Sequence, residues 1–235
     1  MHSFDIFDTL ITRSTAVPRG IFMLMEKRMC KINRFDSFLC ANFYELRSGA
    51  ERLARRYARS AGREEVTLDD IYKILSMTTG VSEEQLEELK KLEVDLECDN
   101  VLGIRKNIAL LKKLKKEGER VVLISDMYLD EESIRCILCR VDSVFADIPV
   151  YVSSAYGKTK GNGSLFLVVQ KQEQVNFSDW IHYGDNESAD IRAAMKLGIK
   201  AIHLVSEELK EYEHPEKSIY HQLSVGSSRY VRTLG

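Results

Sequence analysis

Proline is scarce in this chain, with 3 in 235 residues, and no stretch is rich in glycine, proline and serine together. That scarcity excludes polyproline linkers and low-complexity spacers as organising features. No run of about 18 apolar residues occurs, so hydropathy gives no membrane-spanning helix. No early basic-then-apolar segment resembles a secretory signal peptide. The five cysteines (Cys30, Cys40, Cys98, Cys136, Cys139) are odd in number and lack a framework spacing. Reduced thiols in a cytoplasmic protein are the expectation. Cys136 and Cys139 form a CxxC, but their context "EESIRCILCRV" is helical, with no second pair and no nearby histidine. They read as two helix thiols, not half of a zinc site. Net charge is −2, from 34 basic and 36 acidic residues, so there is no basic field to attract nucleic acid.

What is present is an ordinary globular composition, 44% hydrophobic, enough for a substantial core. After a short apolar start, residues from about 17 to 100 are strongly helical in pattern. "IFMLMEKRMCKI" is an apolar-rich helix, and "FYELRSGAERLARRYARSAG" places Phe43, Leu46, Ala50, Leu53, Ala54 and Tyr57 at helical spacing. "VTLDDIYKILSMTTG" begins with a cap at Thr67 and stops at Gly80, and Ser82 precedes a helix of mixed charge. From about 104 the grammar changes to helix and strand in alternation: "RVVLISDMY", "SVFADIPVYVSS", "WIHYGD" and "KAIHLV" hold strands, with helices between them. Alternation at this spacing predicts a parallel sheet covered by helices on both faces. The expected architecture is an α/β, Rossmann-like core at 1–14 and 101–235, interrupted by an all-helical insertion at 15–100. Residues 215–235 read as a C-terminal helix or linker, and the native chain could continue beyond Gly235.

Unusual polar residues fall just after predicted strands. Asp5, Asp8 and Thr9 follow the first strand, Ser125 and Asp126 follow "VVLI", Lys160 lies in "YGKTKGNG", and Asp185 and Asp190 lie in "YGDNESAD". In a parallel sheet these ends converge on one edge, where such folds bind ligands. Three carboxylates together (Asp5, Asp185, Asp190) repel one another unless a hard cation sits among them, and magnesium suits that donor set. A hydroxyl and a lysine could hold phosphate oxygens, and an aspartate could attack phosphorus.

The four motifs, in this order, resemble those of the haloacid dehalogenase-like (HAD) hydrolase superfamily. "DIFDT" matches its first motif with one departure, Ser125 the second, Lys160 (in preference to Lys158) the third, and "GDNESAD" the fourth. The helical insertion is similar to the family's C1-type cap. By this resemblance Asp5 is the nucleophile and a magnesium ligand, with the Phe7 backbone carbonyl and Asp185 completing the protein's share. Asp190 ligates directly or through water, or holds Lys160. Thr9, Ser125, Asp126 and Lys160 bind or frame the phosphoryl group. The "FDIFDT" opening resembles domains found beside bacterial surface-polysaccharide functions, which implies a sugar-phosphate or nucleotide-sugar substrate.

The departure is Phe7, which stands where the family's phosphatases carry a second aspartate that protonates the leaving group. Loss of a general acid typically removes about 10²–10⁴ in rate. Three readings follow: a magnesium-dependent phosphohydrolase of a small phosphorylated metabolite, a phosphate-binding module with little turnover, and a dehalogenase-type hydrolase. Asp8 either holds the turn or serves as acid or base. Asp126 either positions its loop or takes part in the chemistry. Arg47, Arg55 and Arg56 either form a solvated helix face or meet an anionic substrate; His182 reads as a satisfied core or supporting histidine, and Trp180 as a core or strand-start anchor. Tyr128 either packs or lines a substrate entrance.

Overall fold

The computed structural model describes residues 1–204 apart from Ala16 and Asn33. The expected segment at 215–235 lies outside the described residues. A five-stranded sheet is built from β1 (His2–Phe4), β4 (Val121–Ser125), β5 (Val150–Val152), β6 (Ile181–Gly184) and β7 (Lys200–His203). Its order is β5-β4-β1-β6-β7, and every pairing is parallel. All five residues of β4 are buried, as a strand covered on both faces requires. Its alternate residues feed different clusters. Leu123 packs with Ile134, Ile137 and Phe145, whereas Val122 and Ile124 pack with Phe166, Val169 and Trp180.

The covering helices are α5 (Arg105–Lys116), α6 (Glu131–Val141), α7 (Ser153–Tyr156), α8 (Ser164–Glu173) and α9 (Ala193–Lys196). A π-helical turn, Glu187–Arg192, precedes α9. From β1 the chain fills one side of the sheet, then reverses at β6 to fill the other. This reversal opens a crevice at the carboxyl end of β1, the usual ligand position in doubly wound sheets.

Between β1 and β4 lies a cap of four helices: α1 (Gly20–Ile32), α2 (Ser37–Ser60), α3 (Leu68–Thr79) and α4 (Glu83–Asp99). Capping boxes at Thr67/Asp70 and Ser82/Gln85 start α3 and α4, and left-handed Gly80 ends α3. The chain enters and leaves the cap through a two-stranded antiparallel stem, β2 (Ile11–Arg13) with β3 (Val101–Gly103). Ile104 N–H to Leu10 O and Ser14 N–H to Asn100 O, both 2.8 Å, lengthen it. Gly103 lets the stem approach α6 closely, since a Cβ would lie 2.6 Å from Val141 Cγ1 and that side chain would have to shift. These three-residue stem strands are not distinguished in the sequence pattern.

One expectation is corrected. Arg47 is fully buried on α2, not on a solvated face. Its Nε and Nη2 donate to Glu93 at 2.8 and 2.7 Å, and its guanidinium lies over the rings of Phe22, Tyr72 and Tyr128. Tyr72 and Tyr128 donate to the same carboxylate at 2.7 and 2.8 Å. Tyr128 belongs to the loop after β4, so Glu93 joins the cap to the core. One turn along α4, buried Glu97 takes a forked bond from Arg13 of the stem.

Candidate functional site

Asp5 directly follows β1, and its N–H still donates to Tyr183 O of β6 at 2.8 Å. The side chain is therefore held at the sheet edge, only 6% exposed. The chain then turns sharply. Asp8 has φ +59°, a left-handed conformation that aspartate tolerates, and Leu10 and Ile11 N–H groups both reach Ile6 O. Thr12 Oγ1 donates to Asp8 Oδ1 at 2.6 Å, which ties that oxygen into the turn. Phe7 is half-buried, and the Arg13 guanidinium lies 4.3 Å from its ring centroid.

The other strand-end residues close in on Asp5. Lys160 is 3% exposed; its ammonium donates to Asp5 Oδ1 and, at 2.6 Å, to Asp190 Oδ1. Lys158, two residues earlier, instead pairs with Glu64 of the cap at 2.8 Å. Asp126 accepts the Lys160 backbone N–H at 2.9 Å, so it holds the lysine loop. Thr9 donates to Asp185 Oδ1 at 3.2 Å, and its carbonyl accepts from Asn107 Nδ2 at 2.7 Å. Ser125 is buried at the end of β4. Asp190 Oδ2 accepts Asn186 N–H at 3.0 Å, leaving both of its oxygens engaged. Gly184 makes this approach feasible, since a Cβ there would lie 2.4 Å from the Asp190 side chain.

Oxygens of Asp5, Asp185 and Asp190 lie within 4.8 Å of one another. Burial pushes Asp5 well up, Lys160 opposes that rise, and the other two carboxylates add to it. Burial and the facing Asp190 push Asp185 up to about 6. Asp190 moves the other way: burial would raise it, but Lys160 and His182 hold it below the usual carboxylate range. Lys160 is raised, its desolvation outweighed by Asp5, Asp190 and Asp126. One lysine thus faces two buried carboxylates and the half-buried Asp185, an excess of negative charge that a hard divalent cation would relieve.

Behind Asp190 runs a file of buried polar groups whose donor directions can be assigned. Trp180 Nε1–H can only donate, and it donates to Ser3 Oγ at 2.6 Å. Ser3 Oγ lies 2.7 Å from His182 Nδ1, and His182 Nε2 lies 3.3 Å from Asp190 Oδ1. Asp190, held ionised, can only accept, so the imidazole proton sits on Nε2, and Nδ1 takes the proton of the Ser3 hydroxyl. His182 is then the neutral Nε2–H tautomer and donates to Asp190, in keeping with burial lowering its pKa. Sequence reading takes His182 and Trp180 as core support and overlooks Ser3, Asn107 and Asn186. A signal existed for Ser3: it and His182 are polar residues in apolar strands, and they are register partners.

The cap also touches the site's supporting loops. Glu65, buried, accepts from Ser153 Oγ at 2.9 Å and pairs with Arg55. Glu64 accepts from Lys158, from Ser164 Oγ and from Thr159 N–H. Arg55 therefore binds a cap carboxylate and is not on a purely solvated face.

A defluorinating L-2-haloacid dehalogenase aligns with a TM-score of 0.60 at 14% identity, over 89% of this chain and 82% of its own. A 2-haloacid dehalogenase from Pseudomonas syringae pv. Tomato DC3000 gives 0.56 at 18%, over 93% and 88%. A putative beta-phosphoglucomutase from Thermotoga maritima gives 0.53 at 14%, over 88% and 87%. The chain has the haloacid dehalogenase-like fold. No family model matches the sequence, and no curated protein matches it. Among the described residues, no helix is long and apolar enough to cross a membrane.

Proposed function

We propose that this HAD-like chain is a magnesium-dependent phosphohydrolase in which Asp5 is the nucleophile. The observation that carries this reading is the set of three carboxylates, Asp5, Asp185 and Asp190, gathered around a single lysine. A phosphoryl dianion approaching that set unaided meets more negative charge than Lys160 can offset. Asp5, Asp185 and the Phe7 carbonyl would hold a magnesium ion, which would supply the missing positive charge and polarise the phosphoryl oxygens. Asp190, with both oxygens already engaged, orients Lys160 and backs the ion from one layer out.

In this reading Asp5 attacks phosphorus as the bond to the leaving-group oxygen breaks, and water then hydrolyses the aspartyl phosphate. Ser125 donates to a phosphoryl oxygen. Lys160 offsets charge between Asp5 and the phosphoryl group, and Asp126 fixes the lysine loop. Thr9 orients Asp185. Asp8, bonded to Thr12 in the turn, serves to hold that turn and not as the acid. Phe7 then selects substrates whose leaving groups need no protonation, such as aryl or other stabilised anions. A small phosphorylated metabolite is the substrate class, and a sugar phosphate requires a proton from the substrate itself or from the cap.

A second reading rests on Phe7 and on the solved dehalogenases among the similar structures. There Asp5 would attack carbon and displace halide, a reaction with no use for a cation. An aryl phosphate and a 2-haloacid, each assayed with magnesium and with chelator, separate the two. Aryl phosphate turnover that chelator abolishes supports the phosphohydrolase, and chelator-insensitive halide release supports the alternative. Turnover of neither, together with magnesium-dependent binding of a phosphate analogue, would make the chain a phosphate-binding module.

A further inference from the structure

The thiols of Cys98 and Cys136 lie 3.3 Å apart, sulfur to sulfur, closer than two unbonded sulfurs usually pack. They belong to different parts of the fold. Cys98 is in the last turn of α4, the final cap helix, and Cys136 is in the middle of α6, a helix of the core. Cys98 is buried and Cys136 is exposed to solvent. This asymmetry is that of a thiol shielded behind one that dissolved reagents can reach. We propose that Cys98 and Cys136 are a redox modification site, joined by peroxide-class oxidants into a reversible disulfide that ties cap to core.

The step balances with hydrogen peroxide as the oxidant. The Cys136 thiolate attacks one peroxide oxygen, the O–O bond breaks, and water leaves with Cys136 as a sulfenic acid. The Cys98 sulfur then attacks the sulfenic sulfur and displaces hydroxide, which leaves as water with the Cys98 proton. Two thiols and one peroxide become one disulfide and two waters. Burial, reinforced by the neighbouring Cys136, pushes the Cys98 thiol up, so Cys98 is not the first of the two to meet the oxidant.

The place of the link gives it a consequence. Cys98 lies two residues before Asn100, which caps α4 and bonds to Ser14 across the stem. α6 already rests against the stem through Val141 at Gly103. α4 also carries Glu93 and Glu97, the two carboxylates that hold Tyr128 and Arg13. A covalent bond here would pin the cap's exit strand to the core next to its own hinge. Cys139, one helical turn beyond Cys136, is exposed but sits outside this contact.

The test uses the whole chain, reduced, desalted and treated with hydrogen peroxide, then alkylated and mapped by peptide mass spectrometry. The expected product is a Cys98–Cys136 cross-linked peptide pair that dithiothreitol removes. It persists in Cys139→Ala and disappears in Cys98→Ala and Cys136→Ala. In the oxidised protein, amide exchange across residues 97–104 should slow by at least about tenfold, because local opening must now carry the cross-link. A Cys136–Cys139 disulfide would overturn the assignment. So would a Cys136 sulfinic acid beside a still-alkylatable Cys98. A correct cross-link with unchanged exchange would overturn the tether.

Discussion

The Lys160 ammonium lies 2.6 Å from Asp190 Oδ1 and closer still to Asp5 Oδ1, so one cation bridges carboxylates that follow different strands of the sheet. All three side chains are buried. The site's acidic cluster is thus tolerated only because a lysine from a third loop sits within it.

Lys160→Met should therefore destabilise the fold as well as abolish turnover. Removing the lysine leaves Asp5 and Asp190 uncompensated, at a cost of about 3–5 kcal/mol. Urea unfolding without magnesium measures it, and adding Asp5→Asn to Lys160→Met should recover part of the loss. Equal stability of Lys160→Met and wild type would contradict the bridging role.

His182 should behave as a neutral donor. Burial lowers its pKa from 6.5, so the unfolded chain binds a proton that the native state refuses. Its contribution to stability is complete above the unfolded value and declines as pH falls from 6.5, by at most about 1.4 kcal/mol per pH unit. His182→Gln keeps an N–H facing Asp190 and lacks this slope. Urea unfolding at pH 7.5 and 5.5 should show wild type losing more than His182→Gln, and parallel losses would count against a buried neutral imidazole.

Glu64 gives an acid-sensitive contact between cap and core. Burial would raise its pKa, but bonds from Lys158, Ser164 and other donors win and lower it from 4.5 to about 2. The depressed value means that its stabilisation is full above pH 4.5 and fades as pH falls towards 2. Melting temperatures of wild type and Glu64→Gln should differ at neutral pH and converge across that window. A gap that does not depend on pH would show that the carboxylate charge is irrelevant there.

Phe7→Asp places a carboxylic acid two residues after the nucleophile. The ratio of aryl phosphate to sugar phosphate kcat/KM should shrink by roughly 10²-fold, because only the poorer leaving group needs the proton. An unchanged ratio would mean that another residue already donates it.

Much of the core was legible because its grammar is local. A β-branched run such as "VVLIS" followed by a helix reads as a parallel strand wherever it occurs, and the caps at Thr67 and Ser82 lie where their side chains mark them. The stem was not legible, since Ile11–Arg13 and Val101–Gly103 define each other only through a pairing about 90 residues apart. Arg47 was misread for a related reason. A charged helix residue is ordinarily solvated, and only the arrival of Glu93, Tyr72 and Tyr128 from three other segments makes its burial tolerable. Within the site, Asp5, Lys160, Asp185 and Asp190 could be picked out by their positions after strands. The direction of the file from Trp180 to Asp190 depends on donor geometry that no spacing encodes.

Attack by Asp5 on phosphorus is tested most directly by quenching the protein in acid during magnesium-dependent aryl phosphate turnover and mapping the modification by mass spectrometry. The expected result is one phosphoryl group on the peptide carrying Asp5, lost in Asp5→Asn together with turnover. Phosphate released with that peptide unmodified, or at the same rate by Asp5→Asn, would contradict it.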